Sequence, residues 1–432
     1  MKCMQSVQQG KTGRILTFLN GVIIFGFSAS LVLIPQAHWW FGLAALVSAF
    51  LAGSVLAGYK KYPFVLTGDD YKLVGALVLF GSVWWWNVLD SGSLPWVADE
   101  GFHHLYLWPF IAAFFLLSAR VFTPSPHWLW IGVCCGALGA GMIAIYERVV
   151  IGQSRADNGI NAIPFGNLSL LLSAISLIAA IYYIQKRRQP YYWLVLLAIS
   201  AAFLGFLASL LSGTRGGWVS IPFIIALLAP ATKNLITPKA RNLTIVFIVL
   251  TIIVAIAYPP SGVWLRLVSI FDDAYRYFVN NDANNSLGTR LEMWRAGWVM
   301  FIENPVFGVG EKSIQKLLPL LISEEIAYER GVVFPQLHSD IIDTLARRGL
   351  LGVISLVLLY AAFALVFIKK MLQENYQLHS RLLAVSGMMV IVAFFDFGLT
   401  QSMFRDLRGF SGFLGFSVAI WACSGHRPRT QS

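Results

Sequence analysis

The chain has 432 residues, of which 57% are hydrophobic and only 12% are charged, and its mean hydropathy is +0.68. This composition excludes an ordinary soluble globular protein and indicates a membrane protein. The formal net charge is +11. Because most basic residues flank apolar runs, this charge indicates orientation in the membrane, and we predict no nucleic-acid partner.

Twelve apolar runs have about the length of a membrane span, since a helix needs roughly 20 apolar residues to cross a ~30 Å hydrocarbon core. The first run is followed by no small-residue cleavage site, so it is predicted to remain as a span. The sequence therefore predicts an all-α, polytopic membrane protein with about twelve transmembrane helices. The predicted spans are residues 15–34, 38–58, 73–90, 104–122, 127–147, 163–184, 191–211, 218–232, 242–258, 350–368, 383–401 and 409–424.

The basic residues predict the orientation of these spans. With the N-terminus inside, 18 of the 32 Lys and Arg residues lie on cytoplasmic segments and five lie on the short external loops. The large loop is left out of this comparison because long loops translocate largely regardless of charge. Both termini are therefore predicted to be cytoplasmic.

The one long polar segment, residues 259–349, lies between the ninth and tenth spans and is called the large loop below. The sequence predicts three parts: spans 1–9 in residues 1–258, a helical external cap in residues 259–349, and spans 10–12 with a cytoplasmic tail in residues 350–432. Apolar residues at helical spacing predict that the cap packs on the membrane domain or on itself.

Local signals place three helices in the cap. Thr289 and Glu292 have the spacing of a capping box, which predicts a helix with Thr289 as its N-cap. Leu291, Trp294 and Trp298 form its predicted apolar face, and the helix is predicted to end before Pro305.

The other two predicted cap helices follow along the chain. The second covers residues 313–330, and the third begins near His338 and ends at Gly349, where glycine suits the C′ position.

His338 is the single histidine of the large loop, although the chain has seven. Near a helix N-terminus the dipole lowers an imidazole pKa, so a neutral ring could accept a proton. The alternative is a surface or capping histidine without a chemical role.

Several arginines are candidates for binding an anion. Arg215 lies in the Gly-rich break between the seventh and eighth spans, where arginine typically lines an aqueous cavity or pairs with an anion; the alternative is a residue snorkelling to the interface. Arg290 opens a helix, where an anion would relieve the unfavourable dipole. Three weaker candidates are better explained by solvation or salt bridges than by anion binding: Arg266, Arg276 and Arg295.

No metal site or cofactor is predicted from the large loop. The closest carboxylate pairs, Asp272 with Asp273 and Asp340 with Asp343, lack the Asp-x-Asp spacing, and none of the four cysteines lies in the loop. Arginines could supply the positive charge in place of a metal.

Around these residues the chain resembles the O-antigen ligase family. The resemblance rests on five short motifs that flank or lie in the large loop: Thr214–Gly217, Thr289-Arg290, Pro305–Gly310, His338-Ser339 and Gly349-x-x-Gly352.

This resemblance implies a glycosyltransferase at the periplasmic face of the bacterial inner membrane. It implies a donor, O-antigen polysaccharide on undecaprenyl diphosphate, and an acceptor, a sugar hydroxyl of the lipid A–core, with lipopolysaccharide as the product. It further implies metal-independent attack on the anomeric carbon with inversion. His338 would be the general base, and Arg215, Arg290 and Arg266 would bind the diphosphate.

Related reactions remain open from the sequence. O-antigen polymerases and protein O-oligosaccharyltransferases share much of this architecture, so the acceptor is undecided. A transporter or flippase for a lipid-linked glycan is the alternative of another class. The sequence has no internal repeat, and its large loop is off-centre, which disfavours a transporter.

Overall fold

The computed structural model of the chain describes residues 10–58, 66–90, 105–185, 192–232, 253, 257, 263–311, 314, 317, 336–372 and 378–425. Within these residues it contains thirteen α-helices and no β-strand, which confirms the all-α prediction. In chain order the helices are α1 (Lys11–Ser30), α2 (Ala37–Ala57), α3 (Gly68–Asp90), α4 (Trp108–Val121), α5 (Pro126–Ile145), α6 (Ala162–Gln185), α7 (Tyr192–Ser212), α8 (Ser220–Thr232), α9 (Val263–Phe278), α10 (Ser286–Glu303), α11 (Asp340–Leu372), α12 (Leu378–Thr400) and α13 (Leu407–Cys423).

Seven of these helices, α1, α2, α5, α6, α7, α11 and α12, are long and apolar enough to cross a membrane. Helices α4 and α13 and the segment Gly216–Leu228 are apolar but shorter. The prediction of a polytopic membrane protein is confirmed. Each predicted span overlaps a described helix except 242–258, which lies outside the described residues apart from positions 253 and 257.

The core of the membrane domain lies around α6 and α12, where 89% and 83% of the most apolar window is buried, against 22% in the peripheral α2. Glycines let neighbouring helices approach closely. A Cβ atom at Gly136 of α5 would lie 2.6 Å from the Ser28 carbonyl of α1, and one at Gly141 would lie 2.7 Å from the Leu204 carbonyl of α7. Small residues at helix contacts are typical of membrane bundles.

The described part of the large loop consists of α9, α10 and the first residues of α11. It has its own small core, separate from that of the membrane domain. The members of this core come from α10, α11 and the segments between them: Met293, Ala296, Met300, Ile314, Leu337 and Ala346.

The predicted start of α10 is wrong by one turn. Its N-cap is Asn285, whose side-chain oxygen accepts hydrogen bonds from the backbone N–H groups of Leu287 and Gly288, at 3.1 and 2.8 Å. Thr289 lies inside the helix. Glu292 accepts a hydrogen bond from the Tyr277 hydroxyl at 2.7 Å, so the capping box is absent.

The buried face of α10 also differs from the predicted one. The helix packs through Met293, Ala296 and Met300, whereas Trp298 is 51% exposed. The predicted end is confirmed, because the helix stops at Glu303.

The third predicted helix of the cap begins at Asp340, two residues after His338. It breaks at Gly349, as predicted, where φ is 59° and ψ is −155°, and α11 continues beyond the kink as an apolar helix. The predicted helix over 313–330 lies outside the described residues except for positions 314 and 317.

Candidate active site

Arg215 lies in the turn between α7 and α8 and points to α9. Its guanidinium donates a hydrogen bond to the Ser269 hydroxyl at 2.7 Å and lies 3.9 Å from the Asp273 carboxylate. The neighbouring glycines permit this placement, because a side chain at Gly216 would collide with Thr400 at the end of α12. The glycine therefore allows the backbone to approach α12 closely.

Arg290 lies in the first turns of α10, half-buried, close to the same charges. Burial lowers its pKa, the positive charge of Arg215 lowers it further, and Asp273 raises it. Among the described residues, no hydrogen bond or ion pair to the Arg290 guanidinium is found. The two arginines thus lie within electrostatic range of each other and of the Asp273 carboxylate.

Burial raises the pKa of Asp273, although both arginines act in the opposite direction. Among the residues that the structure describes, Arg290 has no ion pair, so its guanidinium keeps the capacity to bind an added anion.

His338 lies within electrostatic range of Arg290, and 8% of its surface is exposed. Its Nδ1 lies 2.6 Å from the Oε1 atom of Gln401. Because the amide oxygen only accepts hydrogen bonds, Nδ1 carries the proton and Nε2 keeps a lone pair. This tautomer leaves Nε2 as the atom able to accept a proton from a substrate.

The pKa of His338 is lowered from its ordinary value of 6.5. Burial is the main cause, and the positive charge of Arg290 acts in the same direction. The hydrogen bond to Gln401 and the charge of Asp343 act oppositely. The imidazole is therefore held in the neutral form that a general base requires.

The backbone of His338 is held in an unusual conformation. Its φ of 51° lies in the left-handed region, which non-glycine residues seldom adopt. The backbone N–H of Leu337 donates to the Asp343 carboxylate at 3.0 Å, and that of Ser339 donates to the Ser402 hydroxyl at 3.1 Å. Ser402 in turn donates to Asp343 at 2.8 Å, so one buried carboxylate fixes the chain on both sides of His338.

A buried network of charges adjoins this site and shares Asp343 with it. We call it the ion network, and its members are Glu311, Asp343, Arg347, Arg348 and Arg405. Glu311 pairs with all three arginines, including Arg347 at 2.8 Å. Burial alone would raise the pKa of Glu311, but the three guanidinium groups hold it below its usual value. The network joins the turn after α10, the first part of α11 and the segment after α12.

The glycine-containing segments 305–310 and 349–352 contact each other beside this network. Gly308, in the turn after α10, and Gly349, at the kink of α11, both have positive φ angles. A Cβ atom at Gly349 would lie 2.5 Å from the Val306 carbonyl carbon. The backbone N–H of Leu350 donates to the Pro305 carbonyl at 2.8 Å. Neither glycine could therefore be replaced without moving the backbone that supports His338.

Three of the four residues predicted for the site are linked through Arg290, which lies within electrostatic range of both Arg215 and His338. The fourth, Arg266, belongs to α9, and its side chain lies outside the described residues. The other two weaker candidates follow the salt-bridge alternative, because Arg276 pairs with Asp282 and Arg295 lies 4.0 Å from Glu292.

Sequence reasoning missed the residues that hold the site together. Gln401 stands at the end of an apolar run, and Glu311 and Asp343 follow no motif that marks them as partners of a histidine or an arginine. Their contacts bridge up to 94 residues of chain, as between Arg405 and Glu311. Within the described ranges, no group of three or more His, Cys, Asp or Glu side chains is placed to hold a metal ion.

Comparison with known proteins relates this segment to one family. Residues 199–357, which include all three gathered residues, match the O-antigen ligase family model. The chain is 27% identical to the O-antigen ligase of Escherichia coli K12 over 309 residues, which are 69% of this chain and 70% of that protein. It is also 23% identical to an uncharacterised protein of Haemophilus influenzae over 407 residues, covering 93% of this chain and 98% of that protein.

Proposed function

We propose that this chain, which matches the O-antigen ligase family model over residues 199–357, transfers O-antigen polysaccharide from undecaprenyl diphosphate to the lipid A–core, giving lipopolysaccharide. The observation that carries this proposal is the placement of His338, with its Nδ1 bonded to Gln401, within electrostatic range of Arg290, which itself lies near Arg215. A base next to paired cations suits the attack of a hydroxyl group on a sugar that leaves a diphosphate.

In the proposed reaction, the hydroxyl oxygen of the acceptor sugar bonds to the anomeric carbon of the donor. The bond from this carbon to the diphosphate oxygen breaks in the same displacement, which inverts the configuration. The hydroxyl proton passes to Nε2 of His338. Undecaprenyl diphosphate leaves with the bonding electron pair.

The positive charge for the leaving group comes from the arginines in this proposal. Arg215 and Arg290 both act electrostatically on Asp273, and planar guanidinium groups bind phosphate oxygens in a two-pronged manner. Arg266 stays a proposed third ligand. A metal-independent reaction follows from this arrangement, because two cations neutralise the charge that develops on the diphosphate.

The proposed location is the periplasmic face of the inner membrane. The large loop, residues 259–349, forms the cap over the site, between spans in residues 1–258 and in 350–432, and both termini lie in the cytoplasm. A cysteine at position 330 should then react with a membrane-impermeant thiol reagent applied from the periplasm, and one at position 187 should not. The reverse pattern would contradict this orientation.

The test of the function is reconstitution of the purified protein with lipid-linked O-antigen and lipid A–core, followed by analysis of the core for added glycan. Glycan on the core supports a ligase. Longer glycan on the lipid carrier alone would indicate a polymerase, and glycan on added protein would indicate an O-oligosaccharyltransferase. Movement of intact donor across the bilayer without transfer would indicate a flippase.

A further inference from the structure

Helix α9 exposes a continuous apolar face, although it lies beside the candidate site. Five large side chains recur at intervals of three or four residues, which places them on one face of a helix. Their exposed fractions are 57% for Trp264, 46% for Val268, 79% for Phe271, 59% for Tyr275 and 69% for Phe278. A contiguous apolar surface of this kind marks an interaction site.

The opposite face of α9 is polar and already has partners. Ser269 and Asp273 contact Arg215, and the Tyr277 hydroxyl donates to Glu292 of α10. Arg276 pairs with Asp282 after the end of the helix. The helix therefore contacts the rest of the protein through its polar face, and its apolar face is exposed.

The position of α9 along the chain predicts that it lies near the membrane. The ninth predicted span ends at position 258, and five residue steps of at most ~3.6 Å limit the distance to Val263 to about 18 Å. A helix tethered so close to a span, with one aromatic face and one charged face, has the pattern of an interfacial helix. Trp and Tyr are also the residues that accumulate at the lipid headgroup level.

We propose that α9 lies flat in the lipid–water interface, with Trp264, Val268, Phe271, Tyr275 and Phe278 buried in lipid, and that the phospholipid surface is the partner of this face. The charged face of the same helix holds Arg215. The helix thus connects the lipid surface directly to an arginine of the candidate site. This last consequence rests on the proposed function, whereas the contact with lipid does not.

Photo-crosslinking tests the contact with lipid. Benzoylphenylalanine is placed at position 271, in the exposed apolar face, and in a matched protein at position 272, where the native residue is an exposed aspartate beside that face. Each full-length protein is reconstituted in vesicles of phosphatidylethanolamine and phosphatidylglycerol that contain a trace of radiolabelled phospholipid, and is then irradiated.

We expect the protein band to carry at least about fivefold more labelled phospholipid from position 271 than from position 272, because only the first side chain would lie in the lipid. Equal labelling at the two positions overturns the proposal. So does a crosslinked product at twice the 47.9 kDa mass of the chain, which would assign the face to a second copy.

The link to Arg215 has a separate test with Phe271→Asp and the conservative Phe271→Leu. A charged aspartate at position 271 would disfavour burial of this face in lipid and displace the helix. The apparent KM for the lipid-linked donor should therefore rise by about tenfold, with kcat nearly unchanged. Phe271→Leu should keep the wild-type KM. An unchanged KM in Phe271→Asp overturns the link to Arg215. If the enzyme transfers no glycan at all, the proposed function fails, but crosslinking at position 271 still tests the contact with lipid.

Discussion

The membrane-embedded helices and the base of the large loop bury different kinds of side chain. In α6, 89% of the most apolar window is buried, and its buried residues are mainly Leu, Ile, Ala and Ser. At the base of the loop, the most buried side chains include Glu311, Arg347 and Arg348. Apolar packing therefore explains α6, although the membrane domain also buries an ion pair, between Arg120 and Asp70. Several paired charges hold the base of the large loop, which also carries the candidate site.

This difference predicts different responses to substitution. An apolar core tolerates exchanges among apolar residues of similar volume at less than about 1.5 kcal/mol. A buried charge that loses its partner is far more destabilising, because nothing in the protein replaces the lost solvation. We expect the largest effects of single polar substitutions in and around the large loop.

The largest effect is expected at His338. His338→Ala removes the proposed base, so the rate of glycan transfer should fall by about 10²–10⁴-fold with little change in folding. His338→Gln should fail as well, because an amide keeps a hydrogen bond without basicity. The matched control is His127→Gln in the membrane domain, where the ring bonds to Tyr183 at 3.2 Å. Near-normal transfer by His338→Gln would falsify the base assignment.

Glu311→Gln should destabilise the protein through the ion network. It leaves Arg347, Arg348 and Arg405 facing each other with one counter-charge fewer, and the expected loss is about 3–5 kcal/mol. The measurement is the apparent melting temperature of the protein in detergent. Glu303→Gln, at the exposed end of α10, should leave that temperature unchanged. Equal melting temperatures for the two variants would show that the network contributes little to stability.

Arg215→Ala and Arg290→Ala should weaken both donor binding and transfer. Removal of one partner from a desolvated charge pair costs about 2–5 kcal/mol, which corresponds to tens-fold or more. Lysine at either position should restore only part of this loss, because it lacks the two-pronged geometry. The control is Arg295→Ala, whose side chain is 62% exposed.

Removal of divalent metal ions by a chelator tests the proposed role of Arg215 and Arg290 in a second way. Excess EDTA should leave wild-type transfer unchanged if the two arginines stabilise the leaving group. If EDTA stops the reaction and Mg²⁺ restores it, the arginines are not the main source of charge, and the carboxylates of the loop become candidate ligands.

The sequence predicts the two regions unequally, for physical reasons. Membrane spans follow from composition over about 20 residues, so a local reading finds nearly all the described helices. The start of α10 could not be chosen locally, because Asn285 and Thr289 both suit an N-cap. Gly288 decides it, since a Cβ atom there would lie 2.7 Å from Cα of Ala283 and glycine lets the earlier turn form.

In the candidate site, too, some residues can be predicted from the sequence and others cannot. His338, Arg215 and Arg290 can be found from motifs because their chemistry is distinctive. Gln401 is 63 residues from His338 in the chain and carries no charge, so only the folded structure reveals the contact. The exposed aromatic face of α9 could have been found from its helical periodicity. Only the structure shows that the opposite face of the same helix contacts Arg215.

The smallest expected effect concerns Gln401, which we propose as a positioning residue for His338. His338 acts as a base when it is neutral, so transfer should be lost as the pH falls through the pKa of His338. Gln401→Glu places a carboxylate against Nδ1–H and favours the protonated ring. The pKa should rise, and the acid limb of the pH–rate profile should move to higher pH.

Gln401→Leu should act in the opposite direction. The hydrogen bond from Nδ1 to Gln401 raises the pKa of His338 in the native protein, so its removal should shift the acid limb to lower pH. The rate at the plateau should also fall, because the proton is then free to sit on either ring nitrogen and part of the population would present N–H to the acceptor. A purely structural role for Gln401 would lower the plateau in both variants and leave both acid limbs in place. Opposite displacements of the two limbs would therefore distinguish control of the tautomer from simple packing.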